Sequence, residues 1–371
     1  MSAGALDGVV VADFSRVLAG PYATMLLADL GADVVKVERP GAGDDTRHWG
    51  PPYAADGQAT YFTGVNRNKT TRWIDLASPE GRVEARTLAL GADVVVENFK
   101  PGGLERMGVG YAALSAHNPR VVVCSISGFG SGQGANLPGY DLLVQAMGGL
   151  MSVTGPEAGH PTKVGVALVD VVTGLHAVYG ILAALRHRDL TGEGQHVEVN
   201  LLSSLLSALV NQASAYVAGG VVPGILGNDH PSITPYGVYA TADRPLVLAV
   251  GNDGQFRSLC HVLGSEHLGA DDRFATNPQR VAHRAELRAL LEVGLAARGA
   301  TDWHAALTAA GVPCGPINDV AAAFDLASSL GLHPVVTVPG SAVSQVANPL
   351  RMSATPPTYR TPPPSMPAST S

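Results

Sequence analysis

Four short runs of mainly apolar, largely β-branched residues punctuate the first third of the chain: Val9–Asp13, Asp33–Glu38, Asp93–Asn98 and Arg120–Ser127. Runs of this length are what a strand covered on both faces requires, so they predict a parallel sheet. Between the first two, GPYATMLLADLGAD carries apolar residues at helical spacing, with Pro21 suited to the first turn and Gly31 to the C-terminal cap. The result is a βαβ unit. A doubly wound sheet places ligands beyond the carboxyl ends of its strands, where Arg39, Asn98 with Phe99, and Ser127 with Gly128 fall.

Farther along, Leu, Ser and Ala set a long helical pattern from Val197 to about Gly219, which leads away from the sheet into the Gly/Pro-rich stretch GGVVPGILGNDHPSITP. YGVYATADRPLVLAVG predicts a β-hairpin turning near Asp243, and helices follow over Asp253–Leu263, Val281–Arg298 and Thr301–Ala310. The expected fold class is α/β, a large parallel-sheet domain with a smaller α+β domain. The expected division is a first large part over 1–195, a linker helix over 196–225, the small domain over 226–320, a return to the large domain over 321–355 and a Pro-rich tail over 356–371. From Thr355 the apolar content is too low for independent folding.

Composition changes this picture little. With 371 residues, 46% of them hydrophobic, the chain can build two domains and a large core. A net charge of −7 excludes a concentrated basic face for nucleic acid. MSAGALDG runs straight into the first strand with no signal pattern, and no uninterrupted apolar stretch nears the roughly 20 residues of a membrane span. Cys124, Cys260 and Cys314 are scattered, without metal spacing, and imply a reducing, cytoplasmic setting.

The residue that most needs explaining is Asp170, a lone carboxylate where the apolar run VGVALVD, read as a strand, meets the helical pattern VVTGLHAVYGILAALRHRD. Such an acid is costly to desolvate and serves either the helix N-terminus or chemistry. Local sequence alone favours a cap. The wider context favours chemistry: LDGVVVADFSRVLAGPYATMLLADLGADVVKVERPGAGD, YFTGVNRNK, VVVENFKPGGLERMG, GYDLLVQAMGG and the Asp170 block occur in an order that resembles the class III CoA-transferases. PGAGDDTRHWGPP, TGPEAGHPTKVGVA, VNLLSSLL and GNDHPSITPY look most like the succinate–glutarate branch of that family.

The resemblance implies a Rossmann-like large domain, a small middle domain and an interlocked-ring homodimer whose active site lies between domains and subunits. It implies Asp170 as the covalent nucleophile, kept ionised by the nearby helix N-terminus. It implies that Val17, Leu18 and Ala19 offer backbone N–H groups to the thioester oxygen, and that coenzyme A contacts Arg39, Ile74, Asp75, Leu76, Asn98, Phe99, Lys100, Arg106, Gly139, Tyr140 and Asp141. Arg47, His48 and His230 are candidates for the distal carboxylate of a dicarboxylate substrate, or else loop residues at the surface. Coenzyme A enters as a substrate, with no permanently bound cofactor and no metal. The family usually ends in a Pro-Pro-x-Leu-Gly-x-His-Thr motif and a further helix; here the Pro-rich stretch is degenerate and that helix is missing.

Two other readings stay open. The related 2-methylacyl-CoA racemases carry a His before the Asp at 141, where this chain has Tyr140, and a phenol of ordinary pKa about 10 is a poor base at neutral pH. A catalytically silent CoA-binding protein is the other. GFGSGQG over Gly128–Gly134 lacks the third glycine of a dinucleotide loop and reads as a close-approach loop over the acyl group. Tyr140→Phe is expected to lower transfer by about one hydrogen bond, ~1 kcal/mol. The unmodified protein is expected to show no fast deuterium wash-in at the α-carbon of 2-methylacyl-CoA; fast exchange would put the chain among the racemases.

Overall fold

Six strands form one all-parallel sheet: β1 (Val10–Asp13), β2 (Asp33–Glu38), β3 (Lys69–Trp73), β4 (Val94–Glu97), β5 (Val122–Ser127) and β6 (His196–Asn200), in the order β3-β2-β1-β4-β5-β6. The computed structural model describes residues 4–341 and 343–367. This is the doubly wound order with its reversal between β1 and β4. The central strands are apolar because both faces are covered: Val11, Val94, Val95, Val96, Val122 and Val123 are all buried.

Helix α1 (Ala19–Asp29) joins β1 to β2 and buries ten of its eleven residues. Helices α2 (Pro79–Leu90), α3 (Asp141–Met147) and α4 (Leu168–Thr191) follow. The buried face of α4 runs through Thr173, Ala177, Ile181, Ala184, Leu185 and Arg188, one or two residues per turn against α1 and the sheet. By length and composition alone α4 is apolar enough to cross a membrane, with a mean hydropathy of 1.8, a point the sequence reading overlooked.

Three expectations need correction. VGVALVD is not a strand. Residues 163–167 form a loop whose Val164 N–H is taken by Gln145 Oε1 (2.9 Å) on α3, and α4 begins at Leu168. The helix expected from Val197 begins instead as β6, because the alternating HVEVN pairs along β5; α5 (Leu201–Ala208) and α6 (Val210–Val217) follow it, so 196–225 is not a linker helix. The Pro-rich segment is not a free tail through Thr361. Thr358 N–H donates to Asp29 O (2.8 Å), Asn68 N–H to Thr361 O (2.9 Å), and the Arg360 guanidinium to the carbonyls of Ala28 (3.2 Å), Gly31 (3.2 Å) and Ala32 (2.6 Å). A cation on carbonyls at and just beyond a helix C-terminus is favourable, and this anchors a segment too polar to fold alone. The last four residues of the expected tail, 368–371, lie outside the described residues.

The chain divides into two compact units, residues 1–151, 163–222 and 331–371 in one and 152–162 with 223–330 in the other. Residues 321–330 thus fall in the second unit, all but Leu330 within α10 (below). The PVVTVP strand, β10 (Val335–Thr337), pairs only with β11 (Ser344–Val346), apart from the main sheet. The second unit packs the antiparallel sheet β7 (Tyr236–Tyr239), β8 (Leu246–Ala249) and β9 (Cys314–Pro316) against helices α7 (Asp253–Val262), α8 (Arg284–Leu295) and α9 (Ala300–Ala309), and ends on α10 (Val320–Ser329).

At the C-terminus of α1 the buried Asp29 is an acid at the wrong end of a helix dipole. Arg67 compensates with a two-pronged pair (2.9 and 2.6 Å), joined by Asn68 (2.8 Å) and Asn348 (3.0 Å). Arg67→Ala leaves that carboxylate buried and unpaired, and is expected to cost about 3–5 kcal/mol in urea unfolding; an unchanged midpoint would show that solvent reaches Asp29.

Candidate active site

The reversal in strand order opens a crevice between the ends of β1 and β4, and the two lips are stitched together. Arg16 N–H donates to Asn98 Oδ1 (2.9 Å), and Asn98 Nδ2 donates back to Arg16 O (2.7 Å). The side-chain amide of Asn98 is therefore engaged within the chain. After Arg16 the backbone turns sharply at Val17 (φ +70°) and enters α1. Among the described residues the N–H groups of Leu18, Ala19 and Gly20 meet no acceptor, as befits the open end of a helix, and Pro21 has none to satisfy. A Cβ at Gly174 would sit 2.8 Å from Ala19 O, so this glycine lets α4 lie directly against the turn.

That approach brings Asp170 into a cavity of about 420 Å³ that Val17, Leu18 and Ala19 also line. Its far wall is the Gly128–Gly139 loop, whose ends touch: a Cβ on Gly128 would fall 2.4 Å from Gly139 Cα. A second cavity of about 210 Å³ is lined by Arg39, Ile74, Asp75 and Leu76, and the two share Arg16 and Phe99. Arg39, Lys100 and Arg106 stand exposed at these cavities with no carboxylate partner among the described residues. Unspent cations along two adjoining cavities, the smaller of them mainly apolar, suit a polyanion with an aromatic head. Gly139 and Tyr140 line the larger cavity; Arg16 was missed by the sequence reading because nothing in its local pattern sets it apart.

Asp141 lies behind the cavity and takes the part that local sequence suggested for Asp170. Its Oδ1 accepts the N–H groups of Val169 (2.8 Å) and Asp170 (3.2 Å) while Gln145 Nε2 donates to Oδ2 (2.6 Å), so it caps α4 from a neighbouring element. Asp170 is third in the helix, and Ala167 occupies the cap position. Burial, and secondarily the charge of Asp141, push the Asp170 carboxyl up to about 7. Burial therefore works against the ionised form that the helix terminus was expected to favour. Tyr61, also missed, has its phenol raised by burial and by the charges of Asp170 and Asp141, and Trp49 meets its ring edge-on at 5.3 Å.

The three substrate candidates are not gathered in this cavity. Arg47 is committed internally, donating to Glu38 from Nε (2.7 Å) and Nη2 (2.8 Å) with its guanidinium 3.7 Å over the Phe62 ring. His48 is exposed and its Nε2 contacts Ala42 O (3.0 Å). His230 belongs to the second unit, where it accepts Ser232 N–H (3.1 Å) and packs on Tyr236.

Beneath the turn lies a buried ionic layer. Lys69 Nζ reaches Asp13 (3.2 Å), Asn66 Oδ1 (2.9 Å) and Pro21 O (2.8 Å); Lys36 Nζ reaches Asp44 (2.8 Å) and Ser15 O (3.0 Å). Burial would raise Asp13, but Lys69 and Lys36 outweigh it and hold the carboxyl below its ordinary range.

The raised Asp170 has a thermodynamic sign. Its folded pKa lies above the unfolded value of 3.8, so ionising it costs the fold stability progressively as pH rises from about 4 to about 7. Asp170→Asn is expected to stabilise the protein at pH 8 by about 1–3 kcal/mol, discounted for its partly open wall, with the gain vanishing below pH 4. Equal melting curves at both pH values would contradict this.

Residues 6–370 match the family described as CoA-transferase family III. A succinate–glutarate CoA-transferase of Agrobacterium fabrum is 45% identical over 370 residues, covering 97% of this chain and 92% of that protein. A succinyl-CoA:glutarate CoA-transferase of Mus musculus is 43% identical over 349 residues, 91% of this chain and 80% of the relative. The crystal structure of a CAIB/BAIF family protein from Brucella suis superposes with a TM-score of 0.87 at 43% identity, covering 99% of this chain and 97% of that one. With sequence profile, relatives and fold in agreement over nearly its whole length, the chain belongs to CoA-transferase family III and is a CoA-transferase.

Proposed function

We propose that this enzyme moves coenzyme A from succinyl-CoA, or another dicarboxyl-CoA, to a free dicarboxylate through covalent chemistry at Asp170. The observation that carries the reading is the shared cavity: the Asp170 carboxylate and the unpaired N–H groups of the Leu18–Ala19 turn line one space. The names of the Agrobacterium and mouse relatives support the dicarboxylate pair.

The Asp170 carboxylate attacks the donor's thioester carbonyl and expels CoA thiolate, leaving a mixed anhydride. The thiolate then attacks the Asp170 carbonyl, releasing the donor acid and forming an enzyme thioester. The acceptor carboxylate attacks that thioester and expels the thiolate again; attack of the thiolate on the acceptor's acyl carbon gives the new acyl-CoA and restores Asp170. Each tetrahedral step puts negative charge on an oxygen that the free N–H groups at the start of α1 can meet. Leu18 adds no polar side chain, so this assistance comes from backbone. Arg39, Lys100 and Arg106 bind the phosphates of coenzyme A, and the cavity shared by Phe99 and Leu76 takes its adenine.

The working form is a homodimer with interlocked subunits in the cytoplasm. Leu175 and Tyr179 on α4, Leu206 on α5, Val210, Tyr216 and Val217 on α6, and Val221 and Val222 beyond it are all exposed apolar side chains, more than a monomer ordinarily leaves uncovered. The three free cysteines fit a reducing compartment.

Asp170→Ala is expected to abolish transfer while CoA still binds, and mass spectrometry of the unmodified protein mixed with succinyl-CoA should show a covalent adduct. Appreciable turnover in the purified variant would sink the assignment of Asp170, and reversible binding without an adduct would favour the silent binding protein. Sedimentation is expected to show no folded monomer at nanomolar concentration, since interlocked subunits part only on unfolding.

A further inference from the structure

Val17 is the strained joint of the site. Its φ of +70° puts a β-branched residue in the left-handed region that glycine favours. Such a conformation persists only where the surroundings over-determine it, and it clusters where geometry serves function. The surroundings here are specific. The Val17 N–H points at both carboxylate oxygens of Asp44, at 3.3 and 3.4 Å. That carboxylate is itself fixed: Lys36 Nζ lies 2.8 Å from Oδ2, while Thr46 donates its N–H (3.0 Å) and hydroxyl (2.8 Å) to Oδ1. Both members of the Lys36–Asp44 pair are buried. The Asp44 backbone N–H is anchored to Glu38 Oε2 (2.9 Å), the carboxylate that Arg47 grips.

We propose that Asp44 is a positioning residue for transfer: its locked carboxylate holds Val17 left-handed and thereby aims the free N–H groups of Leu18 and Ala19 into the cavity that Asp170 lines. Any other φ at Val17 would rotate the start of α1 against β1 and turn those donors away. This rests on the reading of the turn as the stabiliser of negative charge given above. Burial alone would raise the Asp44 carboxyl, but the Lys36 charge and hydrogen bond, with those from Thr46, hold it below its ordinary range, so the acceptor stays ionised across the working pH. Lys36 in β2 and Arg47 thereby belong to one chain of support for the turn.

The test is a double-mutant cycle on CoA transfer from succinyl-CoA to glutarate, using the full chain and following kcat, KM and melting temperature for Asp44→Asn, Val17→Gly and the pair. Asp44→Asn keeps an acceptor but loses the charge, and is expected to lower kcat about ten-fold or more with a smaller change in KM. Val17→Gly alone should cost only part of that, since glycine adopts the turn without support. Added to Asp44→Asn, it should restore most of kcat, a strongly non-additive result that a merely structural role for Asp44 would not produce. If Asp44→Asn does not fold, Thr46→Val removes one donor from the same carboxylate and should show the same signs at smaller amplitude. A lower melting temperature with unchanged kcat overturns the proposal, as does an equal loss of kcat in both Val17 backgrounds. Transfer by the unmodified protein that survives Asp170→Ala would instead overturn the reading of the site, and the proposal with it.

Discussion

Everything at the crevice rests on a layer of charge that never meets water. Asp13, Lys36, Asp44 and Lys69 are essentially inaccessible, and each satisfies the others and the backbone around the first turn. Buried pairs of this kind add little net stability, because desolvating the ions consumes most of what their attraction returns. What they confer is intolerance of alternatives. With one member displaced, a full charge is stranded in the interior, so Ser15, Val17 and Pro21 can occupy one arrangement and no other. The cavity-facing turn inherits its precision from ions buried behind it.

Asp170 shows the opposite policy. The fold leaves its carboxylate poorly solvated, beside a second carboxylate and without a cation, and accepts the resulting loss of stability. An acid held by arginine would be more stable and a poorer nucleophile. Asp141 divides the labour by serving the helix terminus, which frees Asp170 to point into the cavity. The helix dipole favours ionisation and burial opposes it, and the balance falls near neutrality.

The central sheet was legible because strands buried on both faces must be mainly apolar, and β1, β2, β4 and β5 follow that rule apart from the buried ions Asp13, Lys36, Glu38 and Glu97. The edges were not. β3 is KTTRW and β6 is HVEVN, half-exposed strands whose polar residues conceal them; β6 also runs without a break into the helix-forming LLSSLLSA. Asp170 stood out in the sequence as an acid among apolar neighbours, yet the strand before it did not exist, since Gln145 stitches that segment down as loop. Arg47 and Arg39 look alike in sequence. One is spent on Glu38 and the other pairs with no carboxylate, a difference set by loop geometry that local pattern does not encode.

The clasp at the end of α1 also orders events in time. Ala28 and Arg360 are 332 positions apart, yet the second supplies hydrogen bonds to the carbonyl of the first and to those of Gly31 and Ala32 just beyond the helix. During synthesis the bonds from residues 358–361 to this end of the helix form only after that late segment has left the ribosome. Contacts of such sequence separation close late and slowly. Until then the nascent sheet carries an unfinished edge on its own first helix, so the window in which a chaperone or a second nascent chain could engage it lasts for nearly the entire time of translation.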